Sequence, residues 1–130
     1  MSKFFFLFLL LIVSHSYSQD STKCTYKAAD TQLNKIYSKV TQEYKGQALF
    51  LKRLKQAQRA WIQFRDAQIE ARYPSENDTD KSKEYGSVYS ECACVELAEL
   101  TSQRISQLEK WLKGSPEGDV CSGSYKTKEK

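Results

Sequence analysis

Three stretches of this chain space their apolar residues as an α-helix does, and no stretch alternates strongly enough to predict a β-strand. Gly46 interrupts the first stretch. Pro74 ends the second, because the residue before a proline disfavours the α region. The first stripe consists of Ala29, Leu33, Ile36, Val40 and Tyr44. The chain is therefore predicted to be all-α.

The second predicted helix runs over residues 47–73 and the third over 87–113, which makes each about 40 Å long. The second stripe consists of Phe50, Leu54, Ala57, Trp61, Phe64 and Ala71, and the third of Val88, Val95, Ala98, Ile105 and Leu112. The segment 75–85 between them has no aliphatic residue and is predicted to be a solvated loop. A shorter first helix completes an antiparallel up-down-up three-helix bundle, followed by an irregular tail over 115–130 whose end is expected to be disordered.

The first eighteen residues have the parts of a secretory signal peptide. Lys3 precedes an apolar run over 4–13, and Ser16 and Ser18 supply the small residues of a cleavage site after Ser18. Ten apolar residues are too few to span a bilayer, which needs about 20. We therefore predict a signal peptide over 1–18, a helical domain over 19–114, and a periplasmic or secreted product without a stable membrane anchor.

Four cysteines follow the predicted cleavage site: Cys24, Cys92, Cys94 and Cys121. An even number in a small exported domain favours two disulfides over a metal site or a redox pair. Cys92 and Cys94 point about 200° apart on a helix, so they are expected to serve different partners. Cys24 can reach either of them, and an extended tail laid against the third helix would tether Cys121 to the other.

Composition excludes several kinds of chemistry. The single histidine, His15, lies in the predicted signal peptide, so a His-containing triad or zinc site is not expected in the product. The product carries 19 basic and 16 acidic residues, a mild +3 that does not suggest a nucleic-acid binder. Glu76, Asp78 and Asp80 alternate like calcium ligands but lack EF-hand spacing. We predict no metal, no cofactor and no enzymatic activity.

The densest cluster of unusual residues lies on the second predicted helix, where Trp61 and Arg65 share one face and can stack. Asp66 follows directly. On the third helix, Thr101 and Arg104 are one turn apart, and Arg104 could reach Asp66 or Glu70 across the bundle. These residues form either a polar binding site or a core tryptophan capped by an ion pair between helices, and a catalytic pocket would need Asp66 and Arg104 together.

A second group on the same helix is basic and consists of Lys52, Arg53, Lys55 and Arg59. A nucleic-acid or membrane-surface role is possible for such a group, but acidic residues elsewhere dilute it. We interpret it as an exposed helix face.

The order of several short motifs resembles the LprI-like lysozyme-inhibitor family of small exported bacterial helical domains. The motifs are Cys24, Leu33-Asn34-x-x-Tyr37, Gln58-x-x-Trp61-x-x-Phe64-Arg65-Asp66, Gly86-Ser87, a further cysteine, and Leu100-Thr101-x-x-Arg104-x-x-x-Leu108. Where the family usually has a cysteine after the Arg-Asp pair, this chain has Ile69, so the disulfide pattern can differ.

The resemblance implies an exported binding protein that occludes lysozyme or another envelope protein. The alternative is a structural or stress-associated envelope module without an enzyme target. Lysozymes of the animal type are strongly basic, so binding to one would need an acidic patch on this mildly basic chain. The candidates are Glu96, Glu99 and Asp119, or the loop over 76–84.

Overall fold

The computed structural model describes residues 24–76 and 80–128, and this part of the chain is an all-α bundle as predicted. The helices are α1 (Tyr26–Glu43), α2 (Ala48–Arg72), α3 (Lys81–Tyr85) and α4 (Tyr89–Lys113). Among the described residues the only β pairing is an isolated bridge between Ser115 and Thr127. The predicted signal peptide lies outside the described residues.

The three long helices are arranged up-down-up. A disulfide between Cys24 and Cys94 joins the start of α1 to the start of α4, with 5.7 Å between their Cα atoms. At the other end, the Tyr44 hydroxyl donates a hydrogen bond of 3.0 Å to the Trp111 carbonyl. The Phe50 ring, at the start of α2, lies 5.7 Å from the Trp111 ring. Helices α1 and α4 are therefore parallel, and α2 is antiparallel to both.

The core lies mainly between α1 and α4. It consists of Leu33, Ile36, Val40, Tyr44, Leu54 and Leu108. The first predicted stripe is thus largely confirmed. The second is partly wrong, because α2 buries only Leu54 and Ile69 and leaves 52% of Phe64 exposed. Alanines at positions 57 and 71 lie on the exposed side of α2 as well.

The prediction of a solvated loop over 75–85 is partly wrong, because this segment contains the short helix α3. The Asp80 side chain caps it by accepting a hydrogen bond of 3.1 Å from the Ser82 amide. Lys81 is buried, and its ammonium group lies 2.5 Å from a Glu70 carboxylate oxygen on α2. A lysine stem and tyrosine rings dock this helix instead of aliphatic side chains, so hydrophobic periodicity gave no sign of it.

The prediction of an extended tail laid against the last helix is also wrong. After Gly114 the tail turns back on itself, and the Ser115 amide donates to the Lys126 carbonyl at 2.9 Å. The Lys126 amide donates to the Tyr44 hydroxyl at 3.1 Å. Gly114 has φ +68°, and a Cβ there would lie 2.5 Å from the Lys126 carbonyl oxygen, so the turn requires glycine.

The folded-back tail changes the predicted disulfide pattern. Cys24 does bond to Cys94, one of its two possible partners, but Cys92 and Cys121 are free and exposed. Cys92 lies near the start of α4 and Cys121 follows its end, about 30 Å away along the helix. A tail held at the end of α4 cannot bring Cys121 to Cys92.

Alkylation of the unreduced, denatured protein is expected to add two labels, on Cys92 and Cys121, because only Cys24 and Cys94 are bonded among the described cysteines. After reduction the number should rise to four. Mass spectrometry of proteolytic peptides identifies the labelled positions. An unreduced protein that takes no label would show that a second disulfide forms.

Replacing Tyr44 with phenylalanine is expected to lower the free energy of unfolding by about 1–3 kcal/mol, because its buried hydroxyl bonds both Trp111 and Lys126. Urea denaturation measures this change. Tyr125→Phe is the matched control. It also removes a tyrosine hydroxyl, from a tail residue whose ring packs on Trp111 of α4. Equal losses for the two variants would contradict the role assigned to the Tyr44 hydroxyl.

Candidate functional site

Three of the predicted site residues lie together on α2. The Arg65 guanidinium lies 5.4 Å from the centre of the Trp61 ring, as the four-residue spacing suggested. Its Nε donates a hydrogen bond of 2.8 Å to Asp66 Oδ1. Arg65 also reaches α1, where it donates to the Tyr26 hydroxyl at 3.0 Å and lies over that ring. The cluster therefore joins α2 to the start of α1.

This cluster is in part a surface feature. Trp61 packs against the core cluster, and the Arg65 side chain is 14% exposed, whereas the Asp66 side chain is 59% exposed. Arg65 thus covers the tryptophan and presents Asp66 to solvent. The sequence could not indicate the role of Tyr26, because a single tyrosine at the start of α1 carries no pattern.

The other two predicted residues, Thr101 and Arg104, are buried on α4. Arg104 Nε donates to Gln58 Oε1 on α2, and Nη1 donates to Gln107 Oε1, each at 3.0 Å. Arg104 Nη2 and Thr101 Oγ1 are buried, and neither has a hydrogen-bond partner within residues 24–76 and 80–128. Burial lowers the pKa of Arg104, an effect that the nearby Tyr37 partly opposes.

The predicted contact of Arg104 with Asp66 or Glu70 is wrong. Arg104 takes glutamine partners, Asp66 is paired with Arg65, and Glu70 is paired with Lys81. The two halves of the predicted site therefore lie in different environments, and among the described residues no ion pair between helices caps Trp61. A catalytic pocket built on Asp66 and Arg104 has no geometric basis in this arrangement.

A shallow groove of about 290 Å³ runs along the start of α4, and three of the six residues that line it are glutamates. It is lined by Arg72, Glu91, Cys92, Val95, Glu96 and Glu99. The Arg72 guanidinium pairs with Glu96, whereas Glu91 and Glu99 are exposed. We call this the acidic groove. Two of its glutamates were predicted as an acidic patch; Asp119, the third predicted member, lies in the tail and is not part of it.

The up-down-up path of the chain collects acidic residues at one end of the bundle and basic residues at the other. The contact between Gln58 and Arg104 marks the middle of the molecule. The disulfide end, residues 24–34, 60–76 and 80–100, has five basic and nine acidic residues, a formal charge of −4. The basic end, residues 35–59 and 101–128, has twelve basic and four acidic residues, a formal charge of +8. The mild net charge of the chain conceals this polarity.

Within residues 24–76 and 80–128, no group of three or more His, Cys, Asp or Glu side chains is placed to hold a metal ion. None of the helices in the same part of the chain is long and apolar enough to cross a membrane.

Comparison with known proteins identifies the class of protein to which this bundle belongs. The family model described as "Lysozyme inhibitor LprI" matches residues 14–108, which is most of the chain and includes all five predicted site residues. The chain belongs to the LprI family. Comparison with curated proteins and with solved structures gave no match. The last residues of α4 and the whole tail, residues 109–130, lie outside the family match.

Replacing Thr101 with valine is expected to raise the free energy of unfolding by about 1 kcal/mol, because its buried hydroxyl has no partner and valine has the same shape. Thermal or urea denaturation measures the effect. Thr41→Val is the control, since the Thr41 hydroxyl donates to the Ser38 carbonyl at 2.8 Å and its loss should not stabilise. Destabilisation by Thr101→Val would indicate that the hydroxyl has a partner, such as a buried water.

Proposed function

We propose that this protein is an exported, non-enzymatic lysozyme inhibitor that binds its target through the disulfide end and occludes the enzyme's cleft. The observation that carries the proposal is the LprI family match over residues 14–108. The charge of −4 at the disulfide end supports it, because a strongly basic enzyme is attracted to an acidic surface.

The acidic groove is the part of that end best suited to meet a basic enzyme. Glu91 and Glu99 are exposed, so they can pair with lysine or arginine side chains of the enzyme without losing an existing partner. Val95 lies between them and offers an apolar contact in the groove. Salt bridges at an exposed rim mainly speed encounter and select the partner, whereas a desolvated centre carries most of the affinity.

The Trp61, Arg65 and Asp66 cluster lies on α2 at the same end of the bundle. Asp66 is exposed and is held in place by Arg65, which is itself fixed by Tyr26. A carboxylate held rigidly loses less conformational freedom on binding than one on a free side chain. We assign Asp66 a contact role and assign Trp61 and Arg65 the role of positioning it. Thr101 and Arg104 are buried and are assigned a structural role in this proposal.

The first test measures lysis of bacterial cell walls by an animal lysozyme in the presence of residues 19–130. Inhibition is expected, and Glu91→Lys combined with Glu99→Lys is expected to weaken it at least about tenfold, because charge reversal opposes a basic partner. Higher salt should also weaken inhibition by the original protein, because salt screens the attraction between exposed charges.

The matched control is Glu109→Lys combined with Asp119→Lys, which makes the same change of charge at the basic end. This control should inhibit as the original protein does. No inhibition at large molar excess would contradict the proposal and favour the alternative of an envelope module without an enzyme target. Equal weakening by both double variants would contradict the assignment of the acidic groove.

A further inference from the structure

The basic end of the bundle combines positive charge with exposed aliphatic side chains. Leu49, at the start of α2, is 69% exposed, and Val120, in the tail, is 97% exposed. All of the basic residues at this end except Arg104 are exposed. They are Lys35, Lys39, Lys45, Lys52, Arg53, Lys55, Arg59, Lys110, Lys113, Lys126 and Lys128.

The two aliphatic residues lie in separate segments at the same end, Leu49 in the first turn of α2 and Val120 in the tail. Leu49 follows the turn between α1 and α2, and Val120 lies in the tail between Ser115 and Ser124. Both ends of that tail segment are fixed: Ser115 bonds to Lys126, and the Trp111 indole donates to Ser124 Oγ at 2.9 Å. The tail is therefore a supported loop, not a free extension.

A groove of about 530 Å³ lies between the start of α2 and this tail. Its lining is mostly apolar and consists of Gln47, Ala48, Leu49, Phe50, Arg53 and Ser124. Arg53 brings a cation to the groove, and Lys52 and Lys45 lie nearby in sequence. An apolar strip bordered by cations matches the region of a bilayer where acyl chains meet anionic headgroups.

We propose that the basic end is a peripheral docking surface for anionic phospholipid bilayers. The long cationic side chains contact the headgroups, while Leu49 and Val120 enter the interface. Each cation close to an anionic surface strengthens binding, and each buried aliphatic group adds to it. This function is separate from lysozyme inhibition, which uses the opposite end of the bundle.

The observations favour a lipid surface over other occupants. If two copies of the protein paired through this end, two surfaces of formal charge +8 would face each other, and their repulsion opposes such a dimer. Single strands of nucleic acid are typically bound by aromatic rings that stack on bases, and phosphate contacts to a duplex make no use of aliphatic side chains, whereas the large exposed side chains here are aliphatic. An acidic protein would be attracted by the charge, but two aliphatic residues, one on α2 and one in the tail, do not form the packed centre of a protein interface.

The test is co-sedimentation of residues 19–130 with vesicles. Binding is expected to vesicles that contain phosphatidylglycerol and not to vesicles of phosphatidylcholine alone, and it should weaken as salt is added. Leu49→Ser combined with Val120→Ser should lower the partition coefficient onto anionic vesicles about tenfold. The variant lacks the two aliphatic side chains that would move from water into the bilayer interface. Both residues are exposed, so the variant should melt at the temperature of the original protein and inhibit lysozyme equally.

The matched control is Ile62→Ser combined with Phe64→Ser, which removes two exposed apolar side chains from the middle of α2. It should bind vesicles as the original protein does. As a second measurement, Val120→Trp should gain a blue-shifted emission on anionic vesicles, and Phe64→Trp should not.

Four results of the vesicle experiments would overturn the proposal. They are absence of binding to anionic vesicles, equal binding to neutral vesicles, equal loss in the two serine variants, and loss of binding by Lys52→Glu with Lys55→Glu but not by the aliphatic variant. Stronger binding to DNA or to polyglutamate than to vesicles would also overturn it and assign the charge to another partner. Lysozyme inhibition measured on the same samples reports separately on the disulfide end.

Discussion

The parallel pairing of α1 and α4 is the interaction on which the rest of the structure depends. It supplies most of the buried core, and it is closed at one end by the bond between Cys24 and Cys94 and at the other by the Tyr44 hydroxyl. Two parallel helices need a long connection, and α2 provides it by returning antiparallel along their side. Because α2 serves mainly as this return, it can leave Phe64 exposed without loss of the core.

Much of this arrangement was predictable, because helix periodicity depends on local spacing and the three long helices follow it. Periodicity says which face is apolar, but it does not say how deeply a neighbour covers that face. The exposure of Phe64 and the burial of Leu54 on the same predicted stripe illustrate the limit. The choice of Cys94 over Cys92 has the same origin, since both lie near the start of α4 and only the rotation of the helix distinguishes them.

The contacts of the candidate site within α2 were predicted from the sequence, whereas its contacts between helices were not. The stacking of Arg65 on Trp61 follows from two positions on one helix. The partner of Arg104 depends on the axial level at which α2 and α4 meet, which places Gln58 and not Asp66 beside it. Helix α3 was missed because Lys81 and tyrosine rings dock it, and such side chains are also typical of solvated loops.

The polarity of charge follows from topology combined with a sequence in which residues 60–76 and 80–100 are net acidic, whereas residues 35–59 and 101–128 are net basic. Residues 35–59 and 101–128 are far apart in the chain, and the up-down-up path brings them to one end. An inhibitor with this polarity would be oriented by its own charge: a basic end held against an anionic bilayer turns the acidic end outward. A basic enzyme attracted to the same anionic surface would then meet the acidic groove, so the two proposed contacts would reinforce each other without sharing residues.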